Sequence, residues 1–407
     1  MIVRAKGGYD VDVSGDVWTL YKGAKQFIID WTPTKDLPTH VVDAAKRYAT
    51  RMVRTGAASC VRDFVNGSIK PLLECPSAQL PALTEAAFDE LRALIPHDKA
   101  SINRFRKFYR CSVRLRGFDR DSSEVMDSVK IGAHRTASAD QGRNPPLPSA
   151  QYEFLRRQLA LHRAALPLDG RVALGYSLAL GPNADPMSLA RGADLSNSHE
   201  GPKFGVAQHK KGHSKPRSEL RGLPIDNHLA CDMRLLAARN AELASAMVWP
   251  DGSIGLPDGV AVPLFMRSGP KPSHAAANCP ERQYALHMTA NEVSVLLRET
   301  VVALCRLVGA DPIHMTARTG KRTVMTEAQR HGLPAEVIAL IGGHQSTRHI
   351  GHYAAEGILV LDQVQRALGD RLVGLGESYV PVAPALEDSP DGIALKFRKV
   401  RLGANDD

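Results

Sequence analysis

Several features that would place this chain in a familiar class are missing from its sequence. It has no run of about 18 apolar residues, the length that a transmembrane helix needs. Its six cysteines are scattered without a C-x-x-C pair, so neither a zinc ribbon nor a disulfide scaffold is predicted. The first residues are basic but lack the apolar stretch of a secretory signal. We therefore expect a reducing cytoplasmic setting (nucleoid-associated if prokaryotic) and no membrane partner.

Aromatic residues are also scarce, at 5% of the 407 residues, yet the hydrophobic fraction of 43% is ordinary for a folded protein. This apolar content excludes a wholly disordered chain, and the length allows roughly two or three domains. Lys and Arg number 52 against 43 for Asp and Glu, which gives a net charge of +9. The excess of positive charge favours a polyanionic partner, and nucleic acid before a membrane surface.

Changes in composition divide the chain into five segments. Residues 1–35 are interpreted as an N-terminal extension, and residues 36–130 as a helical DNA-binding domain. The stretch 131–148 is rich in Gly, Ser, Asn and Pro, which is typical of an interdomain linker. Residues 149–375 are interpreted as a second, larger domain, and 376–407 as a flexible basic tail.

The spacing of apolar residues predicts a mainly helical chain. One helix begins near Leu37, a second spans 83–95 and a third spans 101–118, while 203–225 is predicted to form a strand and a hairpin. The predicted N-terminal caps are Thr84, Ser149 and Thr289. The fold class is therefore α+β, mainly α with a small antiparallel β-sheet.

Two of these helices carry cations that we interpret as contacts to the phosphate backbone of DNA. Six cations lie on the short helix 101–118, although an ordinary solvated face remains the alternative for any single one. The candidate DNA-binding residues are Lys46, Arg47, Arg51, Arg104, Arg106, Lys107, Arg110 and Arg114.

The strongest candidate for chemistry lies towards the C-terminus. Arg318, Lys321 and Arg322 are in the first turns of a predicted helix, where positive charge opposes the helix dipole and favours an anionic partner. Two glycines precede His344, and Tyr353 follows that histidine nine residues later. A tyrosine hydroxyl is a poor nucleophile unless its target is supported electrostatically. Guanidinium and imidazole donors on rigid helices would support a phosphodiester transition state without a metal.

This pattern resembles the catalytic domain of the tyrosine recombinases, the phage-integrase family. The family has a His-x-x-Arg motif at a helix start, a helix ended by glycine and a helix ending in Leu-Gly-His. Its nucleophilic tyrosine follows nine residues after that histidine. Gly343 and His344 match the end of the third motif, and Tyr353 stands at the spacing of the nucleophile. The resemblance covers residues 40–375.

Two cationic motifs depart from the family pattern. Counting back from Gly332 places Arg318 at the family's histidine and Lys321 at its arginine, with Arg322 beside it as an alternative guanidinium. In the earlier motif, the favoured register puts Asn183 where the family has its first arginine. A shifted register uses Arg191 instead. The hairpin predicted over 203–225 resembles the one that carries the family's catalytic lysine, here Lys210 or Lys211.

The resemblance implies a two-domain DNA clamp, with a core-binding-like domain at 36–130 and a catalytic domain at 149–375. It implies that Tyr353 attacks a phosphate of duplex DNA and forms a 3′-phosphotyrosyl link. His344 and the cations near it would stabilise the transition state, and Lys210 or Lys211 would protonate the leaving 5′ oxygen. Such an enzyme needs no cofactor. It would integrate or recombine DNA as a homo-oligomer, a tetramer on paired sites, or with related recombinase subunits.

Two alternatives remain open from the sequence. A neutral amide at Asn183 cannot replace a bidentate guanidinium, and Lys321 is a further departure. The chain is therefore also consistent with a catalytically impaired recombinase-like accessory protein that positions DNA or a partner recombinase. An RNA-binding or unrelated helical protein is the third reading. No metal site is predicted, because no carboxylate lies among His344, His349 and His352 and no H-E-x-x-H motif occurs.

Overall fold

A computed structural model describes residues 1–82, 84–94, 99–114, 144–199, 201–207 and 217–343. The chain divides into two compact units, Met1–Arg135 (the N-terminal unit) and Thr136–Asp407 (the C-terminal unit). Both contain helices and small antiparallel sheets, so the predicted α+β class is confirmed. Within the described ranges, no helix is long and apolar enough to cross a membrane.

The N-terminal unit starts with two antiparallel hairpins that the sequence analysis missed. Their strands are β1 (Ile2–Arg4), β2 (Asp10–Asp12), β3 (Val17–Lys22) and β4 (Lys25–Asp30). Alternate side chains of these strands, such as Trp18 and Phe27, lie in the same hydrophobic core as Val41 of the first helix. Residues 1–35, predicted as an N-terminal extension, therefore share a hydrophobic core with the helices that follow them. Strands of three to six residues are too short to give a clear periodic signal.

The described part of this unit also contains four α-helices and several short 3₁₀ and π-helical turns. The α-helices are α1 (Thr39–Thr55), α2 (Ala58–Phe64), α3 (Glu85–Leu94) and α4 (Lys99–Arg114). The hydroxyl of Thr84 accepts the N–H of Ala87 at 3.2 Å, so the predicted cap of α3 is confirmed. Helix α4 buries the apolar stripe that its spacing predicts, with Phe105 and Phe108 fully buried.

The C-terminal unit packs its helices around a three-stranded sheet. Its elements are α5 (Ser149–His162), α6 (Leu168–Leu180), α7 (Ala184–Ser188), β5 (Leu195–Ser198), β6 (Gly201–Ala207), β7 (Leu220–Pro224), α8 (Asn227–Ser245), α9 (Pro272–Ala275), α10 (Ala290–Leu307), α11 (Ala317–Arg330) and α12 (Ala335–Gly342). The strands pair antiparallel in the order β5-β6-β7. Thr289 caps α10 through a reciprocal capping box with Glu292, as its position in the sequence predicts.

The described residues around the start of α5 contact α11. Ser149 is not the cap of α5, since Pro148 occupies that position. Its hydroxyl instead donates to Glu327 of α11 at 2.7 Å. Leu147 is buried, and its N–H donates to the hydroxyl of Thr323 at 2.8 Å. The last residues of the predicted 131–148 linker are therefore packed along α11.

Helix α6 is buried on nearly every face, and glycines let α11 approach its backbone. Gly181 ends α6 in the left-handed conformation, with a φ of +53°. A Cβ at that position would lie 3.0 Å from the Cα of Lys321. Gly320 lies against Ser177, where a Cβ would overlap the serine hydroxyl. This contact fixes the chain that follows α6 beside the first turns of α11.

Candidate functional site

The first turns of α11 hold the three cations that the sequence singled out, and each has a different environment. Arg318 is exposed, with no hydrogen-bond or ion-pair partner within the described part of the chain. Lys321 is 7% exposed, and its Nζ donates to the carbonyl of Gly342 at 2.6 Å. Arg322 donates from Nη1 to the carbonyl of Asn144 at 2.8 Å. Arg322 thus holds the segment before α5, and Lys321 holds the end of α12.

The end of α12 is a glycine turn that immediately precedes His344. Gly343 adopts a φ of +62°, a left-handed conformation that favours glycine, and its N–H donates to Leu340. The carbonyl of Gly342 accepts from Lys321 on the neighbouring helix. The predicted helix ending and the second cationic motif therefore meet in space.

A second buried cation, Arg221 of β7, reaches the same turn. The guanidinium of Arg221 lies against Gly343, where a Cβ would overlap Nη1. Its side chain is 8% exposed, and burial lowers its pKa, an effect that the nearby Tyr176 partly opposes. No motif in the sequence indicated this residue. Its burial is visible only in the folded sheet, where Arg221 is buried and the neighbouring Leu220 is exposed.

Asn183 and Arg191 are the two candidates for the position of the first arginine in the earlier motif. Asn183 is exposed at the N-cap position of α7, with no side-chain capping bond, two residues after the glycine that contacts Lys321. Arg191 donates to Gln283 at 3.0 Å and lies over the ring of Tyr284, 5.5 Å from its centroid. Burial lowers the pKa of Arg191. The segment between α8 and α10 thus supplies the partners of Arg191.

Asp194 and Arg217 form a buried ion pair close to this loop. Arg217 donates to both carboxylate oxygens of Asp194 and to the carbonyl of Leu189 at 2.6 Å. Burial alone would lower the pKa of Arg217, but the hydrogen bonds and charge of Asp194 outweigh it and raise that pKa. Asp194 also accepts the N–H of Arg191 at 2.8 Å. Asp194 therefore accepts hydrogen bonds from the side chain of Arg217 and from the backbone of Arg191, and no sequence motif indicated Arg217.

Four of the predicted catalytic residues lie outside the described residues: His344, Tyr353, Lys210 and Lys211. Their neighbours in sequence are described. Strand β6 ends at Ala207 and β7 begins at Leu220, so paired antiparallel strands flank the predicted lysine hairpin on both sides. The tail predicted over 376–407 likewise falls outside the described ranges.

The cations of the N-terminal unit separate into two groups. Lys46 pairs with Asp16 at 2.8 Å and lies over the ring of Trp31, while Arg104 donates to Ser101 at 2.9 Å. These two serve the fold of their own unit. The exposed candidates are Arg47, Arg51, Lys107 and Arg110. Arg106 is half-buried, and the side chain of Arg114 is outside the described part of the structure.

The exposed cations belong to two adjacent helices. Arg51 of α1 donates to the sulfur of Cys111 on α4 at 3.6 Å, which places its guanidinium between these helices. Helices α1 and α4 therefore present their exposed cations side by side. Within the described ranges, no group of three or more His, Cys, Asp or Glu residues is arranged to hold a metal ion.

Solved structures of tyrosine recombinases and integrases are similar to this chain. One is the Tn1549 transposon integrase in complex with a circular intermediate DNA, at 13% identity and a TM-score of 0.44, covering 83% of this chain and 95% of that one. Another is a lambda integrase dimer bound to a COC' core site, at 11% identity and a TM-score of 0.46, covering 78% of this chain and 98% of that one. A third is the XerH site-specific recombinase bound to a palindromic difH substrate, at 9% identity and a TM-score of 0.46, covering 79% and 83%. No protein-family model matches the chain, and no curated protein matches its sequence.

Proposed function

We propose that this protein is a site-specific DNA recombinase or integrase that cleaves and rejoins duplex DNA through a 3′-phosphotyrosyl link at Tyr353. The observation that carries the proposal is the hydrogen bond from Lys321 to Gly342. It joins the cationic motif at the start of α11 to the Gly-Gly turn before His344. Gly181, at the start of the earlier motif, lies against the backbone of Lys321. Three motifs far apart in sequence thus lie around one point.

The chemistry follows from what a phosphodiester needs when a phenol attacks it. Negative charge accumulates on the non-bridging oxygens, and fixed cations stabilise it without a metal or cofactor. Arg318 is exposed at the start of α11, available to an external phosphate, and His344 follows the turn that Lys321 holds. Lys210 or Lys211 would protonate the leaving 5′ oxygen.

Binding of duplex DNA would involve both units. The exposed cations of α1 and α4 suit the sugar-phosphate backbone, because contacts to phosphates position a protein without reading the sequence. Lys46 and Arg104 are left out of this proposal, since each is engaged within its own unit. A recombinase that exchanges strands between two sites would act as a multimer.

A second candidate function is a non-catalytic DNA-binding accessory protein of the same fold. Two observations favour it: Lys321 donates a hydrogen bond to a backbone carbonyl, and Asn183 carries no charge. A site without arginines at these two positions would bind a phosphate backbone more readily than it would stabilise a pentavalent transition state.

A nicked suicide substrate separates the two candidates. The probe is a pool of duplexes with a randomised centre and a nick beside it, labelled at the 5′ end of the nicked strand. Loss of the short fragment traps the covalent intermediate, so a recombinase gives a labelled protein band that survives denaturation. The band should vanish in Tyr353→Phe and persist in Tyr48→Phe, a control on a half-buried tyrosine of α1.

The other outcomes are equally informative. Tight binding of the pool without any covalent band would overturn the recombinase and support the accessory protein. Equal binding of duplex DNA, single strands and RNA would overturn both, because neither function is independent of duplex form.

A further inference from the structure

A guanidinium group in the C-terminal unit is buried, and no carboxylate within the described residues pairs with it. Arg221 stands on β7 opposite Val206 of β6. Its Nε is buried with no hydrogen-bond partner, and no acceptor in the described part of the chain receives its Nη atoms. Buried charges in proteins are ordinarily paired or hydrogen-bonded, since desolvation is otherwise uncompensated. A guanidinium held in this way indicates an anionic ligand.

Asp194, the carboxylate that could neutralise Arg221 from within the protein, is already paired with another residue. Asp194 and Arg221 both lie close enough to Tyr176 to influence its pKa, which burial raises. Both oxygens of Asp194, however, are taken by Arg217. The hydroxyl of Tyr176 is also buried, and no group in the described part of the chain forms a hydrogen bond with it. The region therefore contains two buried polar groups that no described residue satisfies.

The position of Arg221 identifies the kind of anion. Its Nη1 lies against Gly343, the residue before His344, and Lys321 reaches Gly342 from α11. Two buried cations from different elements therefore approach one glycine turn. A guanidinium matches the geometry of a tetrahedral oxyanion, to which it can donate two parallel hydrogen bonds.

We propose that Arg221 binds the DNA phosphate at which strand cleavage occurs, supplying the guanidinium that is missing at Asn183 and Lys321. This inference rests on the proposed function and names a residue for that site. Arg221 would reach this phosphate from the side of the sheet and would replace a missing arginine. Arg318 would reach the same phosphate from the start of α11.

Stability gives the first test, because a binding role and a structural role predict opposite signs. Replacing a buried, unpaired cation by an apolar residue of similar length removes an uncompensated charge. Arg221→Met should therefore raise the melting temperature of the full-length protein. Arg306→Met, which removes a charge from an exposed position of α10, should leave it unchanged. A lower melting temperature in Arg221→Met would show a structural role and overturn the inference.

Anion binding gives the second test, with inorganic sulfate as the probe. Titration calorimetry at constant ionic strength should show sulfate binding to the wild-type chain, weakened about 10- to 100-fold in Arg221→Met, the range expected for a charge-assisted hydrogen bond. The matched Arg306→Met control should bind as the wild type does. Equal sulfate affinity in the two variants would contradict a site at Arg221.

The suicide substrate then distinguishes failure of this inference from failure of the proposed function. If the Tyr353-dependent adduct forms, Arg221→Met should slow it about 100-fold or more, as loss of one transition-state donor does. Arg221→Lys should restore only part of the rate. An adduct that forms at the same rate in Arg221→Met would overturn the role of Arg221 and leave the recombinase intact. No adduct in the wild type, combined with Arg221-dependent sulfate binding, would overturn the recombinase and keep the anion site.

Discussion

Gly343 leaves the space that the guanidinium of Arg221 fills. A Cβ at position 343 would overlap Nη1 of Arg221, and the φ of +62° independently favours glycine there. The residue before the predicted catalytic histidine is thus constrained twice, once by its own backbone and once by a strand from another part of the sequence.

These two constraints can be separated with one pair of substitutions. Gly343→Ala should destabilise the fold by about 1 kcal/mol, because alanine disfavours the left-handed backbone conformation. Its Cβ should also displace the guanidinium of Arg221. Gly309→Ala is the matched control, because it has a similar φ of +66° but open space around its Cβ. Unfolding in urea should show similar losses of stability. Only Gly343→Ala should weaken sulfate binding in calorimetry. Equal sulfate affinities in the two variants would show that Gly343 does not control Arg221.

The contact between α6 and α11 predicts a compensating pair. Gly320→Ala should lower the free energy of unfolding by about 1–3 kcal/mol, since its Cβ would overlap the hydroxyl of Ser177 in a packed interior. Ser177→Ala should be nearly neutral, because no described residue forms a hydrogen bond with that buried hydroxyl. The double variant should regain most of the stability. Additive losses in urea unfolding would contradict this packing.

Acid should weaken the attachment of α5 to α11. Burial alone would raise the pKa of Glu327, but hydrogen bonds from His331, Ser149 and Arg330 outweigh it and lower that pKa to about 2. A depressed carboxyl pKa contributes stability that is present above the ordinary value and lost as the pH falls. We therefore expect the free energy of unfolding to decrease from pH 4.5 towards pH 2.

Two variants assign that pH dependence. Glu327→Gln should abolish this component of the acid-induced loss, and Ser149→Ala should reduce it by removing one donor. Urea unfolding at a series of pH values measures both. If the free energy of unfolding of Glu327→Gln changed with pH as it does in the wild type, other groups would be responsible for the effect.

The exposed and engaged cations of the N-terminal unit should differ in the salt dependence of DNA binding. Lys107→Gln removes an exposed charge from α4, so the slope of log affinity against log salt should fall by about 1. Lys46→Gln should leave that slope unchanged and lower stability, since Lys46 pairs with Asp16. Fluorescence anisotropy with short duplex DNA at several NaCl concentrations checks both. If the slope instead fell in Lys46→Gln and stayed unchanged in Lys107→Gln, the DNA would contact a different surface of this unit.

Local patterns in the sequence were sufficient where the structure depends on near neighbours. The caps at Thr84 and Thr289 are contacts over three residues, and the buried face of α4 follows from helical periodicity. Short strands gave no such signal, which is why the hairpins of residues 1–30 and their share of the core were missed. Ser149 shows the same limit, because its preferred partner, Glu327, is far away in sequence.

The sequence by itself therefore determined several of the helices, the mixed fold class and the spacing of Gly343, His344 and Tyr353. The tertiary structure decided which cations face the glycine turn. Arg322 instead donates a hydrogen bond to the carbonyl of Asn144. Arg221 belongs to no motif in the sequence. The register in which β7 pairs with β6 places its guanidinium against Gly343. The reason is physical: helix periodicity and caps act over a few residues, whereas burial of a charge depends on strand pairing and on backbones that meet only in the folded chain.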